Sequence, residues 1–292
     1  MTAPTPAPTR DPAPAPTPAP TRDLAQDPTR DPVRDPAPEP FPVRVIGGPT
    51  ALFDYGGLRF LTDPTFDAPG DYDVPGGRLT KTAHSAAAPA DLGPIDVVLL
   101  SHDEHPDNLD TAGRALLADV PLTLTTPGGA RRLGGGAKGL GEWESIEVER
   151  SGGGIVTVTG VPAVHGPGPR EQVEAILGEV TGFVLTGEGL PTVYVSGDNA
   201  SLDAVRQVAE RYRPVDTAVL FAGAPRFDIL FGGEQIVLSS GEVVTAAEIL
   251  HARRVVPVHY EGWAHFTEGR DALLAAFTTA GLTDRLDLGQ RG

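Results

Sequence analysis

Five of the seven residues in His102-Asp103-Glu104-His105-Pro106-Asp107-Asn108 could ligate a metal ion or act as a base. Acids and imidazoles this dense in one short loop repel or compete unless a cation organises them. The spacing allows His102 and His105 to bind one ion while Asp107 turns toward a second. The same residues also suit a polar strand-to-helix loop in which Asp107 or Asn108 merely caps the following helix. Three downstream residues weigh toward the metal, because His165, Asp198 and His259 recur in the same kind of setting.

That setting is the end of an apolar strand. His102 follows Asp96-Val97-Val98-Leu99-Leu100, and His165 follows Val158-Thr159-Gly160-Val161-Pro162-Ala163-Val164. Asp198 follows Thr192-Val193-Tyr194-Val195-Ser196-Gly197, and His259 follows Val255-Val256-Pro257-Val258. Neighbouring strand ends can bring such side chains together on a rigid framework.

The elements around them read from periodicity and turn residues. Strands are predicted at 43–46, 50–55, 58–62, 97–100 and 122–125, with hairpins from 145–150 with 155–160 and from 181–186 with 192–196. Further strands are predicted at 216–221 and 255–259, and helices at 111–118, 202–212, 245–252 and 270–280. Two hairpin-rich halves, each followed by strand–helix alternation, imply an α/β fold of packed sheets with helices outside.

Residues 1–40 are different. Thirteen of the chain's thirty prolines fall there, in Ala-Pro and Thr-Arg-Asp-Pro units. Such a Pro/Ala/Thr-rich segment buries too little apolar surface to offset its ordering entropy, so a disordered tail is expected before a domain at 41–292. The 292-residue chain has no cysteine, which excludes thiolate nucleophiles, disulfides and Cys-held metals. A net charge of −16 argues against a nucleic-acid partner and an anionic membrane surface. The N-terminus lacks a secretory pattern and no apolar run has spanning length, so a cytoplasmic protein with a small-molecule substrate is expected.

Taken in order, Leu99-Leu100-Ser101-His102 with its acid-rich loop, Val164-His165-Gly166, Val195-Ser196-Gly197-Asp198 and Pro257-Val258-His259-Tyr260 resemble the motifs of the metallo-β-lactamase superfamily. The likeness is to its broad metal-dependent hydrolase branch, which includes ascorbate-6-phosphate lactonase-like proteins. Leu61-Thr62-Asp63-Pro64 also fits, with Asp63 supporting the site from behind. The resemblance implies a four-layer αββα sandwich with one or two divalent ions, zinc first, manganese or iron otherwise. It implies that His102, His105 and His165 hold one ion, that Asp107 and His259 hold another, and that Asp198 bridges them. A metal-activated water would then cleave a small ester, lactone, amide or phosphodiester, with Asp107 as the catalytic proton carrier. The alternative is a binding or sensing protein with a degenerate site. It is motivated by Glu104 where the usual second His is expected, and by Asn108 where the usual third His is expected. Glu104 could also replace His105 as a ligand.

The remaining candidates are weaker. Trp263 and His265 could line the pocket or simply pack. His84 is expected at the surface, and His251 exposed at a helix end. Gly134-Gly135-Gly136-Ala137-Lys138-Gly139 follows a predicted helix rather than a strand, so it is not a dinucleotide loop.

Overall fold

Alternation along the central strands decides the layers. Val97 and Leu99 face one apolar core, whereas Val98 and Leu100 face another. On the other side of the molecule, Val193 and Val195 face the first core and Tyr194 faces a third. Strands with both faces buried must lie between two covering layers. The computed structural model describes residues 41–75 and 77–291 of this chain. The predicted tail, residues 1–40, lies outside the described residues.

One sheet has seven strands, in the order Gln290–Arg291, Val43–Gly47, Thr50–Tyr55, Leu58–Thr62, Val97–Leu99, Leu122–Thr125 and Ala137–Gly139. The segments from Val43 to Thr62 form an antiparallel meander, and Leu58–Thr62 then pairs in parallel with Val97–Leu99. The second sheet has six, in the order Arg254–Val258, Thr217–Phe221, Val193–Val195, Thr181–Thr186, Ile155–Pro162 and Ser145–Glu149. Its first three strands in that order are parallel and the rest antiparallel.

Between the sheets lies a core containing Phe53, Phe60, Phe183 and Phe221, with the Phe53 and Phe60 rings stacked at 5.6 Å. Full burial of each such side chain stabilises by roughly 1.5–3 kcal/mol. Helices Leu202–Tyr212, Ser240–Ile249 and Arg270–Ala280 cover the outer face of the six-stranded sheet through Val205, Val243, Leu273 and Phe277. The opposite outer face is covered by Leu92, Ile95, Leu109 and Val120 from connecting segments, with Leu116 of the short helix Thr111–Leu116 packed against them. The result is the helix–sheet–sheet–helix sandwich that the resemblance implied. Among the described residues, no helix is long and apolar enough to cross a membrane.

The predicted elements are present, with local differences. The helix predicted from Thr245 begins at Ser240, where Ser239 and Glu242 form a capping box. Ser240-Gly241 obscured that start. A two-stranded hairpin, Gly70–Val74 with Gly77–Lys81, was not predicted. Its inward positions, Tyr72, Val74, Leu79 and Lys81, include few strongly apolar residues and alternate with Asp71, Asp73, Arg78 and Thr80, so the period-2 apolar signal of a strand is weak. Helix Arg170–Leu177 was also unpredicted; it starts directly after Pro169. Both segments border the site.

Candidate metal centre

The two sheets are fastened together beside the predicted ligands. Thr181 N donates to Ser101 O at 3.1 Å, and His259 N donates to Gly48 O at 2.7 Å. Gly197 lies at the same edge with φ +59°, and a Cβ there would sit 2.6 Å from Thr181 O and 2.8 Å from Ser101 Cβ. Only glycine lets the loop carrying Asp198 approach so closely.

The strand ends bring together six residues: His102, His105, Asp107, His165, Asp198 and His259. His102 Nε2 lies 2.8 Å from His105 Nδ1, which in turn lies 3.2 Å from His165 Nε2. His259 Nε2 lies 3.4 Å from Asp107 Oδ2 and 3.5 Å from Asp198 Oδ1. Asp198 Oδ2 is 3.5 Å from His165 Nε2, which joins the two groups. In each group of three, ligand-capable atoms lie within 4.8 Å of one another.

The backs of the imidazoles are fixed. His165 Nδ1 faces Ile236 O at 2.9 Å, and His259 Nδ1 faces Ala222 O at 3.2 Å. A carbonyl only accepts, so each Nδ1 carries a proton; His165 Nε2 turns a lone pair into the site, and His259 Nε2 does so once its own proton has left. His102 is held less directly. Ser101 Oγ donates to Asp63 Oδ2 at 2.5 Å and therefore accepts from His102 Nδ1 at 2.9 Å. His102 Nε2 then also presents a lone pair. His105 Nδ1 has at most one proton for two such acceptors.

Buried polar atoms without partners mark the same place: Asp107 Oδ1, Asp198 Oδ2, Asn108 Oδ1 and His259 Nε2. Each would be costly left unsatisfied. A divalent cation is what such a set of inward lone pairs and carboxylate oxygens fits, so the residues suit the implied metal.

Burial pushes His102 well below the ordinary histidine range, helped by His105 and His165. Burial likewise lowers His165 to about 4, against the Asp198 carboxylate. In His259 burial also acts downward, but Asp198 and Asp107 outweigh it and hold the ring up to about 9. Burial raises Asp107, yet its contacts with His259 and His265 prevail and keep it well below the usual carboxylate range. Asp63, fully buried, is raised to about 7 by desolvation despite the hydrogen bonds it accepts from Asn108 and Ser101.

Glu104 lies outside the cluster, pairing with Arg132 at 2.9 Å. Asp103 also pairs with Arg132 and is not in the cluster. Asn108 Nδ2 donates to Asp63 at 2.9 Å and to Asp198 at 3.1 Å, tying the rear carboxylate to the front one. Neither Asp107 nor Asn108 caps the next helix. Asp110 does so, accepting from Gly113 N at 2.8 Å, while its other oxygen takes the buried Lys81 ammonium at 3.1 Å. His84 and His251 are exposed.

Two contributions escaped sequence reasoning. His265, a candidate only for pocket lining or packing, reaches Asp107 Oδ2 through Nε2 at 3.0 Å. Asn199, completely buried, accepts from Val164 N at 3.0 Å and so ties the His165 loop to the Asp198 loop. Its adjacency to Asp198 was the available signal.

The cluster forms the floor of a cavity of about 400 Å³, walled by the hairpin 70–81, the helix Arg170–Leu177 and the loop 225–236.

Comparison with known proteins identifies the family and the fold. A sequence model of the beta-lactamase superfamily domain matches residues 58–260. A metal-dependent hydrolase of Methanosphaerula palustris is 30% identical over 185 residues, covering 62% of this chain and 75% of that protein. Among solved structures, the isothiocyanate hydrolase from Delia radicum gut bacteria superposes with a TM-score of 0.71 at 22% identity, covering 86% of this chain and 96% of that one. A metallo-beta-lactamase fold protein of Bacillus subtilis superposes with a TM-score of 0.55 at 17% identity, over 87% of this chain and 98% of that one.

Proposed function

The chain belongs to the beta-lactamase superfamily domain family and is a metal-dependent hydrolase, and on that premise we propose how its own residues carry the reaction. His102, His105 and His165 would hold one divalent ion, and Asp107 and His259 would hold a second, with Asp198, which faces both groups, able to serve either. Zinc suits the imidazole-rich donor set best, with manganese or iron as the alternatives. The supporting observation is the convergence of buried, unpartnered polar atoms at Asp107 Oδ1, Asp198 Oδ2 and His259 Nε2 with the three-histidine group.

When bound, the cation supplies Lewis acidity and lowers the pKa of an attacking water toward neutrality. The chain supplies position and proton handling. Asp107 is held ionised, and its Oδ2 is engaged by His265, so the aimed carboxylate would orient the attacking water and pass its proton on to the leaving group. Asp63, Ser101 and Asn108 fix His102 and Asp198 from behind. The apolar walls of the cavity exclude bulk water around a small-molecule substrate. That substrate is a small ester, lactone, amide or phosphodiester.

Elemental analysis of protein purified without chelator tests this reading. One or two equivalents of zinc, manganese or iron are expected, lost in His102→Ala and Asp198→Ala together with hydrolysis. A wild-type chain that holds no transition metal and gains no hydrolysis on adding any of the three would overturn it.

A further inference from the structure

The cavity above the candidate metal centre has walls of a consistent character. Leu79, Ile176, Leu177, Phe227, Ile229 and Leu230 line it, and they come from three segments that surround the mouth rather than from the strands beneath. Ile176 and Ile229 are 55% and 70% exposed. Large aliphatic side chains at the mouth of a cleft gain by being covered when an apolar ligand enters.

Charge in the cavity points the same way. Arg78 is the one arginine or lysine among the described lining residues, and Asp71 and Asp73 already engage it at 3.1 and 3.4 Å. Glu104 adds a carboxylate to the wall. Beyond the ions themselves, no uncommitted arginine or lysine among the described lining residues would receive a phosphodiester or a free carboxylate.

We infer that the site takes neutral acyl compounds, esters, lactones or amides, whose apolar substituent fills the lobe between the hairpin 70–81 and the loop 225–236 and lies against Ile176 and Ile229. This selects among the substrate classes of the proposed function and rests on that reading for the reaction itself. The volume of about 400 Å³ is at the small end for a ligand pocket, so the substituent is compact.

Binding and turnover are to be measured separately. Calorimetric titration of the chelated full chain with acetamide, butanamide and hexanamide reads the lobe without the metal. Affinity should rise roughly fourfold per added methylene until the lobe is filled. Hexanoate should bind more weakly than hexanamide, and Ile176→Asp and Ile229→Asp should flatten the series. On the zinc-loaded chain, kcat/KM should rise from 4-nitrophenyl acetate to the hexanoate ester and exceed that for bis(4-nitrophenyl) phosphate. Amide affinity independent of chain length, tighter binding of the anion, or faster cleavage of the phosphodiester would each overturn the inference. Chain-length-dependent binding without cleavage of any ester upholds the apolar specificity and counts instead against hydrolysis at this centre.

Discussion

Ser101 Oγ stands between Asp63 and His102, donating to Asp63 Oδ2 at 2.5 Å and accepting from His102 Nδ1 at 2.9 Å. The contact sets the tautomer of a fully buried imidazole, so the hydroxyl acts on whatever His102 Nε2 faces. Ser101→Ala leaves Asp63 without one of its donors and His102 free to take the other tautomer. Metal affinity, read by competition with a chromogenic chelator, should fall about 10–100-fold. Ser101→Thr, which keeps the hydroxyl, should recover most of it. Equal affinity in the alanine variant would show that Ser101 does not orient the ligand.

His265 offers a second handle, on the reaction rather than on the metal. Its Nε2 reaches Asp107 Oδ2 at 3.0 Å, while its ring packs against Phe227 and Phe266 at 5.5 and 4.6 Å. If the hydrogen bond aims Asp107, His265→Ala should lower kcat about 100-fold on the metal-saturated chain with KM changed by no more than about threefold. His265→Gln, which retains an N–H donor, should restore part of the rate. A role in packing alone predicts a lower Tm in both variants with kcat untouched, so steady-state kinetics beside thermal melts decides between them.

What could be read in advance follows from what leaves a local trace. The strand runs before His102, His165, Asp198 and His259 are near-continuous apolar segments, and both of their faces are buried as that pattern requires. The ligand candidates at their ends were therefore legible. The hairpin 70–81 was not, because its short strands are dominated by Asp, Arg, Thr and Gly, and one of its two buried positions is the charged Lys81. Nor were the roles of Ser101, Asn108 and His265, which depend on side chains 38, 90 and 158 positions away. Such pairings are products of the tertiary fold. Even the helix cap at Asp110 lay beyond both candidates weighed for it, since Asp107 and Asn108 are turned into the cluster.

Away from the site, Tyr194 is completely buried in the core beneath the helices, and its hydroxyl has no hydrogen-bond partner. Burial also pushes its phenol far above the ordinary range. An unsatisfied buried hydroxyl costs about 1–3 kcal/mol, whereas the ring itself is well packed. Tyr194→Phe removes the oxygen and keeps the ring. Stability to urea should rise by about 1 kcal/mol, with a Tm increase of about 2–4 °C. A loss of stability would mean that the hydroxyl is satisfied in solution.

The shifted histidines also predict how the metal-free protein responds to pH. His165 sits at about 4 in the fold against 6.5 when unfolded, and His102 is lowered in the same sense. Between those values the unfolded chain binds more protons, so stability falls as pH drops from 6.5 toward 4. Asp63, raised to about 7, opposes this throughout that range but is one group against two. His259 works in the other direction. Its folded value of about 9 gives stability that is full below 6.5 and lost as pH rises through 9. The chelated protein should therefore melt highest near pH 6.5 and lower on either side. The proton that Asp198 and Asp107 keep on His259 must also leave before Nε2 can ligate. Zinc affinity should consequently climb about tenfold per pH unit below 9 and level off above it. Calorimetry at pH 7.5 in buffers of differing ionisation enthalpy should detect about one proton released from this ring per ion bound there. No proton release, or an affinity flat from pH 6.5 to 9, would remove His259 from the ligand set.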